Sequence, residues 1–217
     1  IGGHAAHPDR CRDPIVLAAH LILQFQTIIT REVPAGEFGL ITVAAVHGGT
    51  KHNSIPDHVN LQVNIRFFSR AVRDLILDSI ARVCEHAARS MGMPEDRLPV
   101  IALIDESVSP IENDPELTSG IISALASCIG KDRIHRMAPL TGSEDFGLFG
   151  EVSPPVPLCY LRLGTGSLGE IYLHSPRFSL DPEDSTRNGV VVMSLAALSV
   201  LGLQGRSRGH PSAAGGM

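Results

Sequence analysis

The chain has 217 residues, 43% of them hydrophobic, and a formal net charge of -5. That length suits one large domain or two modest ones, and an acidic balance without a basic cluster argues against nucleic acid as a partner. Cys11, Cys84, Cys128 and Cys159 are far apart and form no CxxC pair, which argues against a disulfide framework or thiolate zinc site and fits a reducing, cytoplasmic setting.

No signal peptide is visible, and the longest apolar run, Gly189 to Leu203, is broken by Ser194 and Ser199 and is too short to span a bilayer. A membrane is therefore not an expected partner. The chain opens on Ile1 and passes at once into Gly2-Gly3-His4. A start in mid-motif suggests a fragment or a processed product.

In chain order, Asp13-Pro14 reads as a helix start, with Asp as N-cap and Pro at the first helical position. Ile15, Ala18, Ala19, Ile22, Phe25 and Ile29 recur at helical spacing, and Leu17, Leu21 and Ile28 widen the stripe. This helix should be mostly buried and end near Arg31. Phe38 to His47 is rich in Ile and Val and reads as a strand. A turn cluster follows, Gly48-Gly49-Thr50-Lys51-His52-Asn53, then Ile55-Pro56-Asp57.

Next comes clean alternation. Val59, Leu61, Val63, Ile65 and Phe67 take one face of a strand, and Asn60, Gln62, Asn64 and Arg66 the other. Ser69 can cap a second helix whose stripe runs from Val72 to Met91, with Gly92 as its stop. Pro99 to Asp105 should be another strand. The order helix, strand, strand, helix, strand is a ferredoxin-like unit lacking its first strand, of which Ile1 would be the last remnant.

A second region starts near Ile111. Asp114-Pro115 opens a helix that Gly130 ends, and Pro139 to Gly150 is a loop with a short helix over Glu144 to Phe149. Val156 to Leu163 reads as a buried strand and Ile171 to His174 as a brief one. Asp181-Pro182 starts the last helix, apolar almost all round from Gly189 to Leu201, so an interior element. Gln204 to Met217 is Gly, Ser, Arg and Pro with few anchors and should be disordered. The fold class is therefore α/β, with an α+β unit at 1–108, an α/β region at 109–203 and a tail at 204–217.

Several residues can carry chemistry. His4 follows two glycines, so its imidazole should be exposed and reachable; a loop histidine without a role is the plain alternative. His4 and His7 are three apart, but Pro8 and the glycines argue against the helix that would make them a metal pair. Asn53 at a strand mouth and Arg66 on its polar face could grip a carboxylate through a planar fork of donors. A solvated strand face is the bland alternative. Glu144 and Asp145 could equally cap a helix, and Ser143 sits in no Gly-x-Ser-x-Gly elbow. Gly164 to Gly169 matches G-x-G-x-x-G, but a strand-like, Pro-broken stretch follows where a dinucleotide fold needs a helix. His174 ends a strand and is a candidate metal ligand, although one ligand makes no site.

Together, Gly-Gly-His-Ala-Ala with Asp13-Pro14, Gly-Gly-Thr-Lys-His-Asn-Ser-Ile-Pro-Asp, Gly-Ser-Glu-Asp-Phe, Leu-Gly-Thr-Gly and His-Ser-Pro-Arg-Phe resemble the amidohydrolase branch of the aminoacylase and carboxypeptidase G superfamily. Hippurate hydrolases and auxin-conjugate hydrolases belong to that branch. The segments come in the family order and cover residues 1 to about 203.

The resemblance implies a dimerisation lid over 1–108 inserted into a catalytic α/β domain that holds two divalent metal ions (Mn, Zn, Co or Ni). It implies a homodimer formed through the lid and hydrolysis of N-acyl amino acids, with dipeptides as the other substrate class. His174 corresponds to the family's last metal ligand and His4 to the lid histidine that steadies the oxyanion in the partner subunit's site. Asn53 and Arg66 correspond to the pair that recognises the substrate carboxylate, and Glu144, Asp145, Gly164 and Thr165 to loops lining the substrate pocket. In two respects the chain departs from its relatives. Asp9 follows Pro8 where they often carry His, and the half bearing their other metal ligands and glutamate base is missing. The chain alone is then expected to be inactive, a dimerising, carboxylate-binding remnant.

Overall fold

A computed structural model describes residues 1–104, 109–142, 144–164 and 174–202. Its elements in chain order are β1 (Gly3–His4), α1 (Pro14–Arg31), β2 (Gly39–Gly48), β3 (Ser54–Ile55), β4 (Val59–Phe67), α2 (Arg70–Ser90), α3 (Pro115–Ile129) and α4 (Pro182–Val200). Short 3-10 turns punctuate the connections. The chain divides into two compact units, Ile1–Pro110 with Pro139–Asp145, and Ile111–Ala138 with Phe146–Met217.

In the first unit, α1 begins where the sequence indicates. The Asp13 carboxylate accepts the N–H groups of Ile15 and Val16, and Pro14 takes the first helical position, so donors that the first turn leaves unpaired are satisfied. Leu17, Ala18, Leu21, Phe25 and Ile28 face the core. Ile15, Val16 and Leu23 remain exposed, Leu23 at 70%, so α1 is buried along one face and not over most of its surface as the sequence led us to expect. Its neighbours are α2 and a two-stranded sheet, which cover only one side of a helix. By length and composition α1 could cross a membrane, but its apolar stripe is already in the core.

α2 starts from Ser69, whose hydroxyl accepts the Val72 N–H, and Gly92 follows its C-cap with a φ of +71°, a left-handed conformation that suits glycine. Val72, Ile76, Ile80, Val83 and Ala87 line the core that α2 shares with α1, and Phe25, Ile28 and Ile76 are the largest side chains fully enclosed. Burying each is worth roughly 1.5–3 kcal/mol. Just past α1, the Glu32 carboxylate accepts hydrogen bonds from Ser79 at 2.8 Å and Arg82 at 2.6 Å, tying that helix end to α2.

β2 and β4 pair antiparallel, with Ile41 opposite Ile65 and Val43 opposite Val63. Beyond Val43 the register shifts, Ala45 facing Gln62 and Val46 facing Leu61, so Ala44 is the extra residue of a β-bulge. Leu61, Ile65 and Phe67 pack on the helical core as the alternation requires.

The helix, strand, strand, helix part of the ferredoxin-like order is thus formed, but the closing strand over Pro99 to Asp105 is not. Residues 99–104 carry no ladder, Val100 is 93% exposed and Ile104 76%, and Asp105 lies outside the described residues. An apolar run becomes a strand only with a partner for its backbone groups, and among the described residues no strand pairs with it.

In the second unit, Asp114 caps α3 by accepting the Leu117 N–H, and Asp181 caps α4 by accepting that of Asp184. The two helices pack through Ile121, Leu125 and Ala196. The strand expected over Val156 to Leu163 reduces to one parallel bridge, Asn113 with Leu158. Beside it the Asn113 side-chain amide takes the place of a neighbouring strand, donating to the Tyr160 carbonyl at 3.1 Å and accepting its N–H at 2.7 Å. α4 is not the interior element its composition suggests. Val190 is 61% exposed and Leu201 67%, because α3 covers one face only. The strand over Ile171 to His174, apart from His174 itself, and the tail from Gln204 lie outside the described residues.

Candidate functional site

The first unit builds a small ribbon beside its main sheet. β1 pairs antiparallel with β3, Gly3 with Ile55 and His4 with Ser54. The ladder continues on both sides: the Ala5 N–H donates to the Asn53 carbonyl at 3.1 Å, and the Gly2 N–H donates to the Asp57 carboxylate at 2.9 Å. A Cβ on Gly2 would lie 2.6 Å from the Ile55 carbonyl oxygen, so only glycine permits this approach. His4 and Asn53 are therefore held one register step apart, both exposed.

The His4 ring has a defined polarity. Its Nδ1 accepts the Ala6 N–H at 3.1 Å, so in the neutral ring the proton resides on Nε2 and Nε2 is the donor. The His7 ring lies 5.9 Å away, tilted by 51°. A cleft of about 440 Å³ opens next to the ribbon, lined by His47, Gly49, Ser54, Asp57, His58 and Asn60 among others.

Arg66 is not part of this cluster. It sits opposite Leu40, half-buried, and its Nε donates to Asn64 at 2.9 Å. The cleft residue Asn60 faces His47 at the other end of β4, roughly 20 Å away at about 3.3 Å per residue. Within one chain, the backbones of His4 and Asn53 are one register step apart on the ribbon, whereas Asn53 and Arg66 lie toward opposite ends of β4.

Glu144 is exposed, and Asp145 opens the 3-10 turn Asp145–Glu151, so the short helix expected there is present. Gly164 is exposed, with nothing within 4 Å of where a Cβ would stand. Thr165 lies outside the described residues, as does Ser143. His174 is exposed and takes a φ of +68°, a region that non-glycine residues seldom enter and where strain is often tied to function.

Among the described residues no three His, Cys, Asp or Glu side chains gather in a way that could hold a metal ion. His174 alone cannot, since a catalytic zinc site takes three protein ligands. These residues by themselves do not fit a metal centre. Sequence reasoning passed over Asp57 as a ribbon partner and Asn113 as a strand surrogate. The Ile-Pro-Asp turn after Asn53 was the available signal for Asp57; a lone Asn before a helix cap gave none for Asn113.

The architecture is a mixed α/β chain whose leading unit is a lid of the dimerisation type. Residues 1–91 match the family described as Peptidase dimerisation domain, and the chain is similar over most of its length to proteins of the M20 family. The N-acetyldiaminopimelate deacetylase of Leuconostoc citreum is 32% identical over 180 residues, 83% of this chain and 44% of that protein. The protein of the same name from Limosilactobacillus fermentum is 36% identical over 145 residues, 67% of this chain and 36% of that protein.

Among solved structures, a protein of methicillin-resistant Staphylococcus aureus described as an aminohydrolase shares the fold with a TM-score of 0.71 at 22% identity, covering 93% of this chain and 49% of that one. The Bacillus subtilis YXEP protein, described as a dinuclear metal-binding peptidase of the M20 family, aligns with a TM-score of 0.61 at 27% identity, covering 88% and 46%. The chain spans less than half the length of each of these relatives.

Proposed function

We propose that this chain is the lid-bearing part of a metal-dependent amidohydrolase that cleaves the amide bond of N-acyl amino acids. The observation that carries this reading is the ribbon, which holds exposed His4, with its Nε2–H as donor, and exposed Asn53 on adjacent register positions. A neutral imidazole donor held on paired backbone suits a developing oxyanion, a contribution of about 3 kcal/mol for such donors. Asn53 binds the substrate carboxylate. Arg66, set apart in one chain, meets that carboxylate through lid movement or from the second subunit of a lid-mediated homodimer. Glu144, Asp145, Gly164 and Thr165 line the substrate pocket, and His174 contributes one ligand to a divalent metal centre of Mn, Zn, Co or Ni. The relatives named for deacetylating N-acetyldiaminopimelate support an N-acyl amino acid as substrate. The compartment we propose is the cytoplasm.

The test is hydrolysis of N-acetyl amino acids and hippurate by this chain and by a version extended to the span of its relatives, each supplied with manganese, zinc, cobalt or nickel. Activity in the extended version alone is the expected result; none in either sinks the enzyme reading. A second reading, a dimerising carboxylate-binding module without turnover, is favoured for the isolated chain because the described residues assemble no three-ligand cluster. Cleavage of dipeptides in preference to N-acyl amino acids would move the assignment to a peptidase, the description carried by the Bacillus subtilis relative.

A further inference from the structure

We propose that Asp57 is a positioning residue: its carboxylate clamps β1 to the loop after β3 and so fixes His4 relative to Asn53. The inference rests on the reading of those two side chains as site groups. β1 and β3 share only two residue pairs, Gly3 with Ile55 and His4 with Ser54. A two-stranded ribbon that short is marginal in water, so its outer contacts decide whether it holds. On the Asn53 side the next contact is the Ala5 N–H on the Asn53 carbonyl. On the other side it is the Gly2 N–H on Asp57 Oδ1, at 2.9 Å.

A carboxylate accepting a backbone N–H is among the stronger hydrogen bonds, and here it spans 55 residues of sequence. Gly2 lets the two backbones touch, with Ile55 and Pro56 atoms where a Cβ would stand. Asp57 also lines the cleft, beside Ser54, the residue that pairs with His4. Release of Gly2 leaves that end of β1 tied to Arg12 through Ile1 but no longer tied to the loop after β3. The His4 ring then loses its set direction although no atom of His4 has changed.

The test compares Asp57→Ala with Asp57→Asn in the whole chain by NMR. Asparagine keeps the acceptor oxygen; alanine removes it. In Asp57→Ala the Ala5 amide should exchange with solvent about tenfold faster, the equivalent of about 1.4 kcal/mol. The His4 ring nitrogens should move toward the averaged shifts of a free imidazole. Asp57→Asn should stay within about twofold of the parent, and α2 amides should be unchanged in both. Unaltered Ala5 exchange and His4 shifts in Asp57→Ala overturn the proposal. So does an equal loss in Asp57→Asn, or a matching loss across α2, which would mark general destabilisation. None of these readouts needs turnover, so absence of hydrolysis with the clamp intact would strike the amidohydrolase reading alone.

Discussion

The two units solve the same problem with unequal means. The first closes a core between α1, α2 and one face of the β2–β4 hairpin, with Phe25, Ile28 and Ile76 fully enclosed. The second packs α3 against α4 through Ile121, Leu125 and Ala196 and leaves Val190, Met193, Val200 and Leu201 in the open. Both have capped helices with apolar stripes. What separates them is a sheet to pack against: a hairpin offers a continuous apolar face, whereas a single bridge at Leu158 does not.

This contrast can be broken by mutation. Phe25→Ala should cost about 3–5 kcal/mol of lid stability, because the loss of apolar contact and the cavity left behind add. Val190→Ser on the exposed side of α4 should stay within about 0.5 kcal/mol. Chemical denaturation followed by probes in each unit checks both, and a large loss from Val190→Ser would show that the α4 face is covered in solution.

A somewhat smaller effect concerns turnover. In an active, extended form His4→Ala should lower kcat by about 100-fold, or about 3 kcal/mol, with little change in KM. An equal fall in affinity would point to a binding role instead. Smaller again, Asp13→Ala should cost about 1 kcal/mol through the uncapped first turn of α1, visible as a lower thermal midpoint.

The smallest effect depends on pH. The Arg82 hydrogen bond, then that of Ser79, holds the Glu32 carboxyl below its ordinary value of 4.5. The folded value lies below the unfolded one, so this contribution is fully present above about 4.5 and fades as the pH falls through the depressed folded value. Arg82→Ala should therefore cost roughly 0.2–1 kcal/mol at pH 7, and progressively less as the pH falls through the lowered Glu32 value. A cost that persists in acid would assign the effect of Arg82 to packing.

The sequence made the lid legible because its signals are local. The caps at Asp13 and Ser69, the stop at Gly92 and the alternation from Val59 to Phe67 each act within a few residues, and all are found in place. The strands over Pro99 to Asp105 and Val156 to Leu163 were misread because apolar character speaks of burial, while a ladder needs a neighbour that the run itself does not encode. For the candidate site, the double glycine pointed to an exposed His4 and the turn cluster to Asn53. Their juxtaposition depends on pairing across some 50 residues, which no local pattern carries. Arg66 shows the same limit in reverse: alternation gave its face correctly, but not its distance from Asn53.

The surplus residue in β2 has a consequence of its own. Ala44 sits between a stretch paired from Gly39 to Val43 and a stretch paired from Ala45 to Gly48. A chain shortened by that single alanine would set Val43 and Ala45 opposite the consecutive residues Val63 and Gln62, keeping both ladders and their faces but losing the bend and the added twist that the bulge puts into the strand. His47 and the glycines that launch the Asn53 loop would then leave the sheet along a different line. One small, chemically inert residue thereby sets the direction from which the loop sets out toward His4, and a deletion there should disorient the site while leaving every polar group of the chain intact.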